Sequence, residues 1–167
     1  DPRDVWIAAG GAAGAGFATL AAGGRVGTSS LRRRALLARY RPDLELVDLR
    51  GNVPTRVRRV EEGKYEAIIL AAAGVKRLGL ERHITEFLPL ARFLPAVAQG
   101  AVAVEIRSGD DATRGWVSQL DHLPTQRATA AERALLATLE GGCQVPVGAL
   151  ATLAGEVTRS CHERAVV

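Results

Sequence analysis

The sequence predicts an α/β fold on a largely parallel sheet, and three observations carry that prediction. Short β-branched runs alternate with helical patterns from Arg25 onward. The connections between them are short, and Tyr65–Ala72 is one continuous apolar run of the kind found in buried parallel strands. In order, Arg25–Thr28 reads as a strand end and about Ser29–Tyr40 as a helix with Leu31, Ala35 and Ala38 as its inner stripe, Leu36 and Leu37 beside them. Leu44–Leu49 alternates with period two and reads as a strand. Gly51-Asn52 then turns the chain, and Pro54 sits at the start of the next helix, where its missing N–H costs nothing. After Tyr65–Ala72 come a short helix around Gly74–Leu80, a strand at Val102–Ile106, and helices at Asp110–Leu120 and Thr125–Leu139. Gly141-Gly142 ends the last of these, and Val147–Leu153 opens a further strand. Leu88–Pro95, with two prolines, and Asp121–Pro124 read as boundaries. Ala8–Gly24 is Gly/Ala-rich without dinucleotide-loop spacing and reads as a variable loop or weak helix.

Composition narrows the function classes. The chain has 167 residues, with 47% hydrophobic and 24% charged, a globular balance. No stretch of about 18 apolar residues exists, so a membrane span is not expected. Two cysteines, Cys143 and Cys161, are too few for a disulfide scaffold and favour a reducing compartment. Methionine is absent and Asp1–Asp4 resembles no signal peptide, so a piece of a longer chain is expected. The net charge of +4 is uneven: ten arginines against three acids between Arg25 and Arg59 give +7 there and leave −3 elsewhere. Guanidinium forks match carboxylate and phosphate, so that segment points to an anionic partner, or else to a solvated basic face. It holds a single aromatic residue, Tyr40, and no basic recognition helix, which speaks against nucleic acid.

Four motifs could carry chemistry. Gly27-Thr28-Ser29-Ser30-Leu31-Arg32-Arg33-Arg34 puts a glycine, three hydroxyls and a helix N-terminus at one spot, suited to a carboxylate or phosphate. Its plainer reading is an N-cap on a basic helix. Asp48–Arg56 delivers Arg50 at a strand end and returns Arg56 on the following helix, and Ala73–Arg77 adds a third arginine after a third strand. If these strands are parallel neighbours, all share the edge where α/β folds bind ligands. Leu139–Pro146 sets Cys143 on a loop beside two glycines and a proline, either an accessible nucleophile or a small buried residue. Cys161 reads as buried filler, and His83, His122 and His162 lack metal-ligand spacing.

At these residues the chain resembles the porphobilinogen deaminase (hydroxymethylbilane synthase) family. The resemblance rests on GTSSLRR (Gly27–Arg33), DLRGNVPTR (Asp48–Arg56), YEAIILAAAGVKRLG (Tyr65–Gly79), LPAVAQGAVAVE (Leu94–Glu105) and AERALLATLEGGCQVPVG (Ala131–Gly148), with DPRD at the start. It implies a transferase of porphyrin and heme biosynthesis. Four porphobilinogen molecules are condensed head to tail onto a dipyrromethane primer, with loss of ammonia, and hydrolysis releases hydroxymethylbilane. The resemblance implies a thioether from the dipyrromethane cofactor to Cys143, with Thr28, Ser30, Arg32 and Arg33 holding the cofactor. Arg50, Arg56 and Arg77 would then hold substrate carboxylates, while Gln99-Gly100 lies in a hinge-side segment near the cofactor. The catalytic aspartate of the family would lie outside this chain.

The implied fold is a type II periplasmic-binding-protein-like domain with a parallel-rich sheet at residues 1–94, a crossover segment at 95–120, and the beginning of a small α+β C-terminal domain at 121–167. A cytoplasmic monomer is implied, with no nucleic acid, membrane or metal. Ala98 stands where the family usually has glycine, and Ala8–Gly24 departs from the usual polar connection. The chain by itself is expected to be inactive and to expose apolar surface. The alternative is a carboxylate-binding module without chemistry.

Overall fold

A computed structural model describes residues 1–139 and 145–153, together with the backbone of a strand at Cys161–Val166. Its larger unit is a five-stranded sheet in the order β3-β2-β4-β1-β5. The strands are β1 (Asp4–Ala8), β2 (Arg25–Gly27), β3 (Glu45–Val47), β4 (Ala67–Ala71) and β5 (Glu86–Phe87). β2 runs parallel to both β3 and β4, with Val26 opposite Leu46 and Ala67. β1 runs antiparallel to β4, pairing Asp4 with Ala71, and β5 runs antiparallel to β1. The parallel core is therefore extended on its β4 side by β1, which runs against it, and then β5, which runs against β1, and the head of β1 lies at the carboxyl-terminal edge of β4.

Side chains alternate across this sheet. Trp6 and Ala8 of β1 with Ala67 and Ile69 of β4 face α1 (Leu31–Tyr40), packing with Leu36, Leu37, Phe17 and Phe93. Val5, Ile7, Ile68 and Leu70 face the other way, toward Val57 and Val60 of α2 (Val53–Glu61) and Val75 of α3 (Ala72–Arg77). Helices thus cover both faces, as a buried α/β sheet requires.

The structure departs from the sequence expectation in several places. β1 and β5 are strands that the alternation did not announce. The inner stripe of α1 is Arg32, Arg33, Leu36 and Leu37, not Leu31, Ala35 and Ala38, which face solvent. Apolar periodicity misplaced it because two arginines are buried against a carboxylate from β1. Val102–Ile106 is not a strand: Val102 is 88% exposed and Val104 56%. A strand exists only by pairing, and among the described residues no edge lies beside it. Leu88 and Phe93, inside the stretch read as a boundary, are fully buried in the first core cluster. Ala8–Gly24 holds one 3-10 turn at Gly11–Ala13 and is anchored by Phe17, whose ring stands edge-on to those of Trp6 and Phe93.

α4 (Asp111–Val117) and α5 (Leu123–Thr138) follow, then a two-stranded antiparallel sheet of β6 (Gly148–Leu153) and β7 (Cys161–Val166). The two units are joined through Glu132 on α5, which is 5% exposed. Its carboxylate accepts from the Ala98 N–H at 2.6 Å and the Ala151 N–H at 2.9 Å.

Candidate functional site

The carboxyl-terminal ends of β2, β3 and β4 form one edge, and the amino-terminal ends of α1, α2 and α3 open onto it. Gly27, the last residue of β2, sits in a tight place, where a Cβ would stand 3.0 Å from both Ile68 Cγ2 and Tyr65 Cδ1. Thr28 continues the ladder by donating to Val47 O at 2.9 Å, and its Oγ1 accepts the Ser30 N–H at 3.3 Å. Ser29 ties this turn to the end of β3, with Oγ donating to Leu49 O at 2.9 Å and accepting from Leu49 N at 3.0 Å. Ser30 caps α1, its Oγ accepting the Arg33 N–H at 3.4 Å. At the neighbouring strand end Gly51 takes φ +114°, and Asn52 caps α2 by accepting the Thr55 N–H at 3.0 Å. Arg56 Nε donates to Gly51 O at 2.7 Å and Arg59 to Arg50 O at 3.0 Å.

Sequence reasoning passed over the residue beneath this edge. Asp4, at the head of β1, is fully buried. Its Oδ2 lies 2.8 Å from Arg32 Nη2 and its Oδ1 2.8 Å from Arg33 Nη2. Arg33 Nε and Gln99 Nε2 also donate to Oδ1, at 3.2 and 2.9 Å. Burial alone would raise the Asp4 carboxyl, but Arg33 and Arg32, with hydrogen bonds from Arg33 and Gln99, hold it below the usual carboxylate range. The available signal was an acid heading an apolar strand, Asp4-Val5-Trp6-Ile7-Ala8, in a chain whose first helix opens on consecutive arginines.

Arg32 and Arg33 are thus 6% and 9% exposed, paired with Asp4 and placed under the edge. Arg50 is exposed and Arg56 half-buried. Among the described residues no carboxylate lies within ion-pair distance of Arg50, Arg56 or Arg77. Burial, with the nearby charges of Arg33 and Arg59, lowers the Arg56 pKa, although a guanidinium stays charged throughout the working range. Arg77 sits in the last turn of α3, one helix length from the strand end. The structure therefore gathers Thr28, Ser30, Arg32, Arg33, Arg50 and Arg56 at one edge, with Arg77 farther off. Cys143 lies outside the described residues. Capped helix ends, hydroxyls and unneutralised cations together suit a ligand carrying several carboxylates.

A family model described as "Porphobilinogen deaminase, dipyromethane cofactor binding domain" matches residues 1–115. The chain belongs to the porphobilinogen deaminase family. A second model, for the porphobilinogen deaminase C-terminal domain, matches residues 126–160. Relatives named porphobilinogen deaminase include that of Roseiflexus castenholzii, 54% identical over 93% of this chain and 50% of its own length. That of Moorella thermoacetica is 55% identical over 92% of this chain and 48% of its own, and that of Syntrophobacter fumaroxidans 50% identical over the same shares. The chain spans about half the length of the curated relatives it matches. The solved structure of an arginine-specific periplasmic binding protein from Salmonella typhimurium overlaps 81% of this chain and 59% of its own, at TM-score 0.44 and 15% identity. At those values nothing structural follows from it.

Proposed function

We propose that this chain supplies the carboxylate-holding part of a hydroxymethylbilane synthase. That enzyme is a transferase condensing four porphobilinogen molecules onto a cysteine-linked dipyrromethane, with release of ammonia and finally hydroxymethylbilane. The observation that supports this reading is a sheet edge that carries the Thr28 and Ser30 turn together with Arg50 and Arg56, which have no carboxylate partners among the described residues. Every pyrrole unit carries an acetate and a propionate, so the residues present fit a dipyrromethane. Cys143 would bind it by a thioether, and Thr28, Ser30, Arg32 and Arg33 would hold its acid side chains. A dipyrromethane so bound supplies a nucleophilic pyrrole carbon as primer.

The chain's own residues bind and orient. Arg50, Arg56 and Arg77 grip substrate carboxylates by bidentate forks and fix each ring before bond formation, an ordering worth several kcal/mol of barrier, on the order of 7–11 in well-oriented systems. In this reading residues 1–94 form the cofactor and substrate domain, 95–120 a crossover and 121–167 the start of the C-terminal domain. No helix among the described residues is long and apolar enough to cross a membrane. We place the working enzyme in the cytoplasm as a monomer.

Calorimetric titration of the purified chain with porphobilinogen at low salt tests the reading. Saturable binding is expected, weakened about tenfold by Arg56→Gln, equivalent to about 1.4 kcal/mol. Binding indifferent to Arg56→Gln overturns it. A carboxylate-binding module without chemistry would bind but leave Cys143 unmodified when the natural product is weighed intact.

A further inference from the structure

Resting on the function proposed above, we infer that Asp4, clamped by Gln99, is the positioning residue that holds the Arg32 side chain where a ligand carboxylate in the cavity beside α1 can meet it. Asp4 has no exposed surface and lies at the same sheet edge as Thr28, because β1 pairs Asp4 with Ala71 at the end of β4. Its two oxygens divide the arginine pair, Oδ2 taking Arg32 and Oδ1 taking Arg33.

Gln99 locks this division from the opposite side. Its Nε2 donates to Asp4 Oδ1 at 2.9 Å and to Pro2 O at 2.7 Å, while its Oε1 accepts from Arg32 Nη2 at 3.3 Å. Gly100 allows the close approach, since a Cβ there would stand 2.4 Å from Asp1 O. Both Arg32 Nη atoms are thereby committed within the fold, Nη1 to Leu94 O and Nη2 to Asp4 and Gln99.

Arg32 Nε is left. It is buried, and nothing among the described residues accepts its proton. A buried donor without an acceptor is a standing cost that a ligand oxygen relieves. Arg32 is also a wall of a cavity of about 270 Å³, shared with Leu36, Arg39, Leu94, Pro146 and Gly148. A carboxylate arm fits a space of that size, and Nε is the one side-chain nitrogen of Arg32 that the described residues leave without a partner. A carboxylate at position 4 thus does what an apolar residue could not: it fixes both guanidinium groups and decides which nitrogen of Arg32 is left without a partner.

The test uses the 167-residue chain labelled with ¹⁵N, titrated with porphobilinogen and separately with propane-1,2,3-tricarboxylate. Affinity is read by calorimetry and the arginine Nε–H resonances by NMR. In the unsubstituted chain the Arg32 Nε–H resonance should shift on binding. In Gln99→Leu affinity should fall at least fivefold and that shift should vanish, while the melting temperature moves little. Asp4→Asn should bind more weakly still, and Asp4→Asn/Gln99→Glu, which returns a carboxylate to Arg32, should regain affinity to within about threefold. If Asp4→Asn does not fold, Gln99→Leu decides alone. Gln99→Leu binding like the unsubstituted chain, or an Arg32 Nε–H resonance indifferent to a bound carboxylate, overturns the inference. Binding of the tricarboxylate with the Arg32 shift, but not of porphobilinogen, retains the positioning role and rejects the pyrrole substrate.

Discussion

Two arginines on the buried face of a helix need a reason, and Asp4 is that reason. A buried ion pair is not in itself evidence of stability, because desolvation offsets much of the attraction. Removing one partner is another matter, since it leaves guanidinium groups buried without compensation. Asp4→Asn should therefore cost on the order of 3–5 kcal/mol at neutral pH. The folded-state pKa of Asp4 lies below its ordinary value of 3.8, so the carboxylate stabilises the fold above the unfolded-state pKa and loses that contribution as pH falls through the folded one. Circular dichroism followed from pH 5 downward should show stability falling with acid in the unsubstituted chain and a shallower fall in Asp4→Asn. Residue by residue, the hydroxyl turn and the arginines of the edge were legible, because Thr28, Ser30, Arg50 and Arg56 stand in local patterns that announce an anion. Their buried counter-ion was not, because Asp4 meets Arg32 across 28 residues of sequence and no local pattern records such a pairing.

At the level of elements, the parallel core could be read from strand–helix alternation because β2, β3 and β4 are joined by helices with clear apolar faces. β5 was hidden by its two-residue length, and β1 by antiparallel pairing, which needs no crossover helix to signal it. Val102–Ile106 shows the converse: a β-branched run without a partner strand forms no strand and stays largely exposed. The segment between Leu94 and Ala101 is held by its hydrogen bonds, and Ala98 takes φ +58° there, the one non-glycine residue with positive φ among those described. The left-handed region costs an L-residue roughly 1–2 kcal/mol. This accounts for the resemblance's expectation of glycine at the position. Ala98→Gly should raise stability by up to about 1 kcal/mol, less what glycine adds to unfolded-chain entropy, and denaturant titration will read the shift. A midpoint that moves down would mean that the Ala98 methyl packs usefully.

Across the whole molecule, apolar surface is unevenly covered. Trp6 is fully buried, whereas Trp116 is 75% exposed, and Val102, Val104 and Leu120 in the same stretch of sequence are exposed as well. Iodide should quench Trp116 and spare Trp6, leaving a blue-shifted residual emission, and Trp116→Ser should change stability by less than about 0.5 kcal/mol. Equal quenching of both tryptophans would contradict the burial of β1.

The position of β1 also bears on how the chain reaches its native state. Its partner β4 lies more than sixty residues later, with Asp4 opposite Ala71, whereas β2, β3 and β4 are linked by single helices. Contacts of long sequence separation form late because loop closure must precede them. On a ribosome the apolar strand Val5–Ala8 emerges well before β4 and waits, without that partner, until β4 has been synthesised. The Asp4 cluster is then among the last features to assemble, and the cation edge becomes competent only when the sheet closes.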